Sequence, residues 1–242
     1  MKQLTIITGA SRGIGKAIYE DLIKELDNDV YGYDSKKIDL QDYMKVYNCL
    51  RFYPGIIANK YDQVNLILCA ARLGDYSPDI DTVNLSQASE LFEINVLGNF
   101  AVIQGVCHQN TPKKLRIVWF AGGGAAFPYP EYFGYSLTKV AVVRAVENLS
   151  IMLKKEIEDV SIIALAPGAV NTDMLNEQKR FGIIPRTETD ISEPVNFVRN
   201  FITDQFDSKA LNGKFMHVRD DLMNVNVGRE KKELFQLRRI EE

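Results

Sequence analysis

LTIITGASRGIGKAI, residues 4–18, decides the fold. Its first five residues are a short β-branched apolar run, the signature of a buried strand. Glycines follow at 9, 13 and 15, and then a helical pattern over 14–26. Glycines at a strand-to-helix junction allow a tight turn and close backbone approach. The helix N-terminus behind them offers unpaired N–H groups and a partial positive charge. The junction therefore reads as a cradle for a pyrophosphate.

Outward from this stretch, strands and helices alternate. Residues 30–34 form a second strand candidate and 38–40 a very short third one. Only three residues separate those two, too few for a crossover helix. VNLILCA (64–70) is apolar throughout, as expected of a central parallel strand buried on both faces. Residues 115–121 and 160–166 repeat that pattern, and 214–218 close the series. Long helical segments lie at 86–109 and 133–157. The pattern predicts an α/β fold, a Rossmann-like doubly wound parallel sheet with helices on both faces. No linker, repeat or low-complexity segment divides the 242 residues, so residues 1–242 read as a single domain.

Composition narrows the function. A net charge of -3 gives no general attraction to nucleic acid or anionic membrane. No apolar run is long enough for a membrane helix, and the N-terminus runs straight into the glycine motif rather than through a signal peptide. Cys49, Cys69 and Cys107 show no paired spacing and read as small buried hydrophobes in a reducing, cytoplasmic compartment. His108 and His217 have no ligand cluster near them, so no metal site is expected.

A second constellation stands at IVWFAGGGAAFPYPEYFGYSLTKVAV (117–142), where Tyr135 and Lys139 lie one helical turn apart. A tyrosine at its ordinary pKa of ~10 is a poor base at neutral pH. A neighbouring ammonium favours the phenolate and lowers that value.

Together the motifs resemble a single-domain short-chain dehydrogenase/reductase. Thr8, Gly9, Gly13 and Gly15 match that family's Thr-Gly-x-x-x-Gly-x-Gly fingerprint. Asn95 matches its helix asparagine, Tyr135 and Lys139 its Tyr-x-x-x-Lys, and Pro167, Gly168 and Thr172 its Pro-Gly-x-x-x-Thr. The family's Asn-Asn-Ala-Gly is degenerate here, as Leu68-Cys69-Ala70-Ala71. The resemblance implies hydride transfer between a nicotinamide and an alcohol or carbonyl carbon. Tyr135 would be the acid/base, Lys139 the ribose ligand, and Asn95 would hold a water that links Lys139 to solvent. It extends the dinucleotide site to Ser11, Arg12, Ile14, Asp34, Asp39, Leu40, Cys69, Ala70, Ala71 and Val170. It also places a substrate lid at about 174–192.

Asp34, nineteen residues after Gly15, would accept from the adenosine ribose and repel a 2′-phosphate, which favours NAD. Arg12, Lys36 and Lys37 could instead pair that phosphate, so NADP stays open. Asp39 either touches the adenine or caps the helix expected near Gln41.

One family residue is missing. Its serine, about thirteen residues before the tyrosine, falls on Gly122 or Ala121, and residues 121–127 carry no hydroxyl. The donor could come from the Gly122–Gly124 backbone or from the substrate, or the protein could bind cofactor with little catalysis. Ala121, Gly122, Gly123 and Tyr129 are the substrate-side candidates. Helices near 90–107 and 137–153 are apolar on nearly every face, which predicts a homodimer or homotetramer through them.

Overall fold

The computed structural model describes residues 2–25, 27–51, 60–108 and 112–220. Six strands form one wholly parallel sheet: β1 Gln3–Thr8, β2 Asn28–Tyr33, β3 Gln63–Leu68, β4 Lys114–Phe120, β5 Asp159–Ala166 and β6 Phe215–His217. Their order is β2-β1-β3-β4-β5-β6. The chain runs outward from β1 to β2, then returns to build the other half from β3. The reversal falls between β1 and β3, and ligands of such sheets bind at the strand ends beside that point.

Strand alternation sorts the core into two layers. Leu4, Ile6, Leu66, Ile117 and Ile162 face one side, under α2 (Tyr43–Arg51), α4 (Asn99–Cys107) and α6 (Phe133–Leu153). Ile7, Ile67, Val118 and Ile163 face the other, under α1 (Gly13–Leu22) and α8 (Ser192–Ile202). Every residue of β3 is buried, as its continuous apolar sequence requires. The remaining helices are α3 (Leu85–Phe92), α5 (Gly123–Ala126), α7 (Asp173–Arg180) and α9 (Ser208–Leu211).

The structure corrects four expectations. Residues 38–40 form no strand, because the carboxylate of Asp34 accepts the N–H groups of Lys36 and Lys37 at 3.0 Å each and turns the chain sharply. Ile38 and Leu40 then pack into the core instead of pairing with β2. The helix that follows starts at Tyr43 and is capped by Asp42, whose Oδ1 accepts Lys45 N–H at 3.1 Å; Asp39 only bends back to Gln41 N–H. Cys49 is exposed rather than buried. Finally, α4 needs no partner subunit on its outer face, because α2 of the same chain covers it. A Cβ on Gly105 would lie 2.7 Å from Leu50 Cβ, so glycine is what lets the two helices meet.

At the opposite end of the sheet, Arg116 is buried and pairs with Asp159 at 2.8 Å and Asp204 at 3.0 Å, while Lys114 also pairs with Asp204. A buried guanidinium needs such partners, and removing one side of a buried pair is costly. Arg116→Leu should lower unfolding stability by only about 1 kcal/mol in a denaturant titration, because the carboxylates it leaves reach solvent and Lys114 still pairs with Asp204. Burial alone would raise the Asp204 carboxyl, but hydrogen bonds from Lys114 and Arg116 outweigh it and hold the group below its ordinary value. A depressed folded-state value contributes stability above the unfolded pKa of ~3.9 and loses it as pH falls through the folded value. The Asp204→Asn deficit should therefore be constant at neutral pH and shrink below about pH 4.

Candidate active site

Two of the three fingerprint glycines are required by space. Gly9 has φ +72°, and a Cβ there would sit 2.8 Å from Ala70 Cα. A Cβ on Gly15 would lie 2.4 Å from the Gly9 carbonyl oxygen. The turn is thus folded tightly onto itself and onto the end of β3. Thr8 locks that junction: its hydroxyl donates to Asn99 Oδ1 at 2.8 Å and accepts Ala70 N–H at 3.2 Å. Asn99 Nδ2 donates to Ala70 O at 3.0 Å. Asn99, fully buried, belongs to this junction although no motif marked it.

Beside the turn lies an open pocket of about 110 Å³ lined by Ala10, Ser11, Tyr19, Gly32, Asp34 and Lys37. Gly32 leaves room for the Tyr19 ring, which a Cβ would approach to 2.9 Å. Lys37 Nζ donates to Gly32 O at 3.3 Å, so a carboxylate and an ammonium share one small space. Asp39 is exposed and does not line it, and Leu40 is buried with its carbonyl against Gly98. Arg12 reaches across the turn to Asp173 at 3.5 Å, with both side chains largely exposed. Thr172 meets Gly13, where a Cβ would touch its Cγ2 at 3.3 Å. Its hydroxyl donates to Val170 O at 3.2 Å. The loop holding Pro167 and Gly168 thereby rims the cleft opposite the glycine turn, with Gly168 packed under Thr189. Ile14 and Cys69 pack into the sheet layer beneath.

Tyr135 and Lys139 project from the first two turns of α6, and both are buried. Lys139 Nζ donates to Phe120 O at 2.8 Å and lies 5.2 Å from the centre of the Tyr135 ring. The lysine does not lower the tyrosine here. Burial raises the Tyr135 phenol above its ordinary range, with no offsetting contribution from Lys139. The same burial pulls Lys139 down to about 8, partly offset by Cys69. Desolvation disfavours both charged forms, and it outweighs a lysine directed at a carbonyl.

Asn95 sits in a π-helical turn, Glu93–Gly98, between α3 and α4. Such bulges often mark functional positions. Its amide donates to Arg72 O at 3.0 Å and Thr138 Oγ1 at 3.1 Å, and its Oδ1 accepts Arg72 N–H at 2.8 Å. This side chain therefore ties the loop after β3, beyond Ala71, to the helix bearing Tyr135.

The missing hydroxyl is now localised. Ala121 is committed to the core, its N–H donating to Leu165 O at 2.9 Å. A Cβ on Gly122 would face the Tyr135 hydroxyl at 3.6 Å, an ordinary contact, and a Cβ on Gly123 would meet nothing within 4 Å. Position 122 is therefore where a serine would reach the phenol. Leu73, Tyr132, Tyr76, Tyr129, Met174 and Ile183 form one cluster with Tyr135. The Tyr76 and Phe181 rings stack 4.4 Å apart, closing the segment after α7 over the cleft.

Residues 41–181 match the family model for short chain dehydrogenase. The chain belongs to the short-chain dehydrogenase family. It is similar to a benzil reductase ((S)-benzoin forming) of Saccharomyces cerevisiae, 24% identical over 197 residues, covering 72% of this chain and 74% of that protein. In fold it is similar to a 4-hydroxyisoleucine dehydrogenase complexed with NADH, with TM-score 0.72 and 15% identity over 89% of this chain and 96% of that one. It is similar too to a short chain dehydrogenase from Burkholderia cenocepacia J2315 in complex with NADP, with TM-score 0.69 and 19% identity over 88% and 94%. Among the described residues no helix is long and apolar enough to cross a membrane, and no cluster could hold a metal ion.

The buried lysine makes a testable cost. Its depressed value means the folded protein binds a proton less readily than the unfolded chain, so stability is penalised at low pH and recovers as pH rises from about 8 toward its unfolded value. Lys139→Met should raise stability at pH 7 by about 2 kcal/mol, the desolvation gain less one hydrogen bond. The gain should fade as pH climbs past about 8, measured by thermal melts across pH.

Proposed function

We propose that this protein is a nicotinamide-dependent oxidoreductase acting between an alcohol and a carbonyl, with Tyr135 as its acid/base. The observation that carries this is the buried Tyr135–Lys139 pair placed by α6 at the end of β4, facing Gly122, beside a glycine turn that only glycines can form.

The residues fit a dinucleotide. Gly9, Gly13 and Gly15 let a pyrophosphate approach the start of α1, and Ser11, Asp34 and Lys37 line the pocket that an adenosine ribose would enter. NAD is the cofactor proposed. Asp34 spends Oδ1 on its own turn, which leaves Oδ2 for a ribose hydroxyl and against a 2′-phosphate. Lys37 and Arg12 are the residues that would admit NADP. The neighbours complexed with NADH and with NADP accord with either form. Pro167, Gly168, Val170 and Thr172 would close the nicotinamide side.

The bound cofactor supplies or accepts the hydride. The chain handles the proton. Tyr135, kept protonated by burial, donates from its hydroxyl to a carbonyl oxygen as that oxygen becomes an alkoxide. Lys139 holds a cation behind the phenol and a contact for the ribose. Residues 174–192 act as a lid, with Met174, Phe181 and Ile183 excluding water from the aromatic wall. A catalytically weak, cofactor-binding regulator is the second reading, favoured by the hydroxyl absent from position 122.

The protein is further proposed to be a homo-oligomer. Phe133, Leu137 and Val140 expose apolar side chains along one face of α6, and Leu97 does so on the π turn.

Calorimetric titration should give tighter binding of NADH than of NADPH; the reverse order refutes the role of Asp34. Tyr135→Phe should leave NADH affinity nearly unchanged and abolish reduction across a panel of carbonyls including benzil, sugars and acyl thioesters. A wild type inert on the whole panel favours the regulator. Leu137→Glu should shift a dimer or tetramer toward monomers in light scattering, and a monomeric wild type removes the assembly claim.

A further inference from the structure

Beside the glycine run, Tyr129 and Tyr132 pack with Tyr135, the phenol that faces Gly122. The Tyr129 and Tyr132 rings lie 5.4 Å apart and tilted, and both belong to the cluster around Tyr135. Tyr129 also packs over the glycine run: a Cβ on Gly124 would meet its Cδ1 at 3.5 Å. The ring is thus held, half-buried, between the chain that lacks the serine and the helix that carries the acid/base. Its hydroxyl makes no hydrogen bond among the described residues.

Tyr129 and Tyr132 face different neighbours. Burial raises the Tyr129 phenol, and the Tyr132 and Tyr135 hydroxyls raise it further. A phenol raised in this way stays protonated through neutral pH, and its ring packs against the cluster that holds Tyr135. Burial pushes Tyr132 up to about 12, with Glu177 and Tyr76 adding to it.

Resting on the functional reading above, we infer that Tyr129 supplies the hydrogen-bond donor missing at position 122 and fixes the substrate oxygen against the Tyr135 hydroxyl. In the reductive direction the carbonyl carbon gains a hydride from the reduced nicotinamide, which is oxidised. The C=O π pair takes the Tyr135 proton and becomes the alcohol. Tyr129 keeps its own proton throughout and acts only by donating a hydrogen bond, which strengthens as charge grows on the oxygen.

The test uses Gly122 as an internal rescue site. The backbone there is extended, at φ 161°, and a Cβ has ordinary room, so serine fits without strain. Benzil is the probe, in turnover with NADH and in the dead-end complex with NAD, where calorimetry reads its affinity without reaction. Tyr129→Phe should lower kcat by ~10²-fold, the scale of one oxyanion donor, with NADH affinity unchanged. It should also weaken benzil in the dead-end complex. Adding Gly122→Ser to Tyr129→Phe should restore ~10-fold or more, a larger factor than the same substitution gives in the wild-type background. Tyr129→Phe with wild-type kcat and benzil affinity overturns the inference and leaves the glycine backbone as donor. Gly122→Ser raising both backgrounds equally also overturns it. Failure of the underlying reading looks different: no dinucleotide binding, or Tyr135→Phe indistinguishable from wild type.

Discussion

The hydroxyl of Thr8, pinned between Asn99 and the backbone of Ala70, is the contact on which the cleft depends. It joins the ends of β1 and β3 to the helix that crosses behind them, at the point where the sheet reverses direction. With those ends fixed, the chain has almost no space to turn into α1. Gly9 then sits against Ala70, and Gly15 against Gly9. The crowding draws the backbone in so far that no side chain fits at positions 9 and 15. Asn99 extends the same tie to Asn95 through its backbone carbonyl at 3.3 Å, and Asn95 extends it to the loop at Arg72 and to Thr138 on α6. A short hydrogen-bonded chain thus connects the glycine turn to the helix that bears Tyr135 and Lys139.

Burial sets the electrostatics of the pair. A lysine one turn from a tyrosine would favour the phenolate if both met water or faced each other. Here the ammonium is spent on a carbonyl and both groups are desolvated, so each leans to its neutral form. That state carries a stability cost concentrated at the residues that would do chemistry, a common trade in enzyme sites.

The aromatic wall changes the meaning of the missing serine. Position 122 has both the direction and the room for a hydroxyl, so its absence is not forced by packing. Instead the surrounding space holds tyrosines from the 3₁₀ turn before α6 and from the loop ahead of it, with the stacked pair of Tyr76 and Phe181 above. Such a lining is apolar on its faces and polar at its hydroxyl tips.

The sequence by itself determined the parallel sheet, the glycine turn and the Tyr135–Lys139 spacing. These depend on local periodicity and on residue types with one strong physical preference. Short continuous apolar runs bounded by turn signals favour central strands, and glycines between such a strand and a helix favour a close approach. It also located the missing hydroxyl, since no residue from 121 to 127 could supply one. Only the tertiary structure decided the rest. The expected strand at 38–40 gave way because the side chain of Asp34 captured its own turn, a competition between local hydrogen bonds and sheet pairing that periodicity does not register. The apolar outer face of α4 was satisfied by α2, a contact between segments far apart in sequence that Gly105 makes possible. Tyr19 and Asn99 joined the cleft without any motif, because their positions follow from packing around the sheet ends. The direction of the Tyr135 pKa shift was decided in three dimensions as well, since desolvation depends on everything around a group and not on the residue four places away.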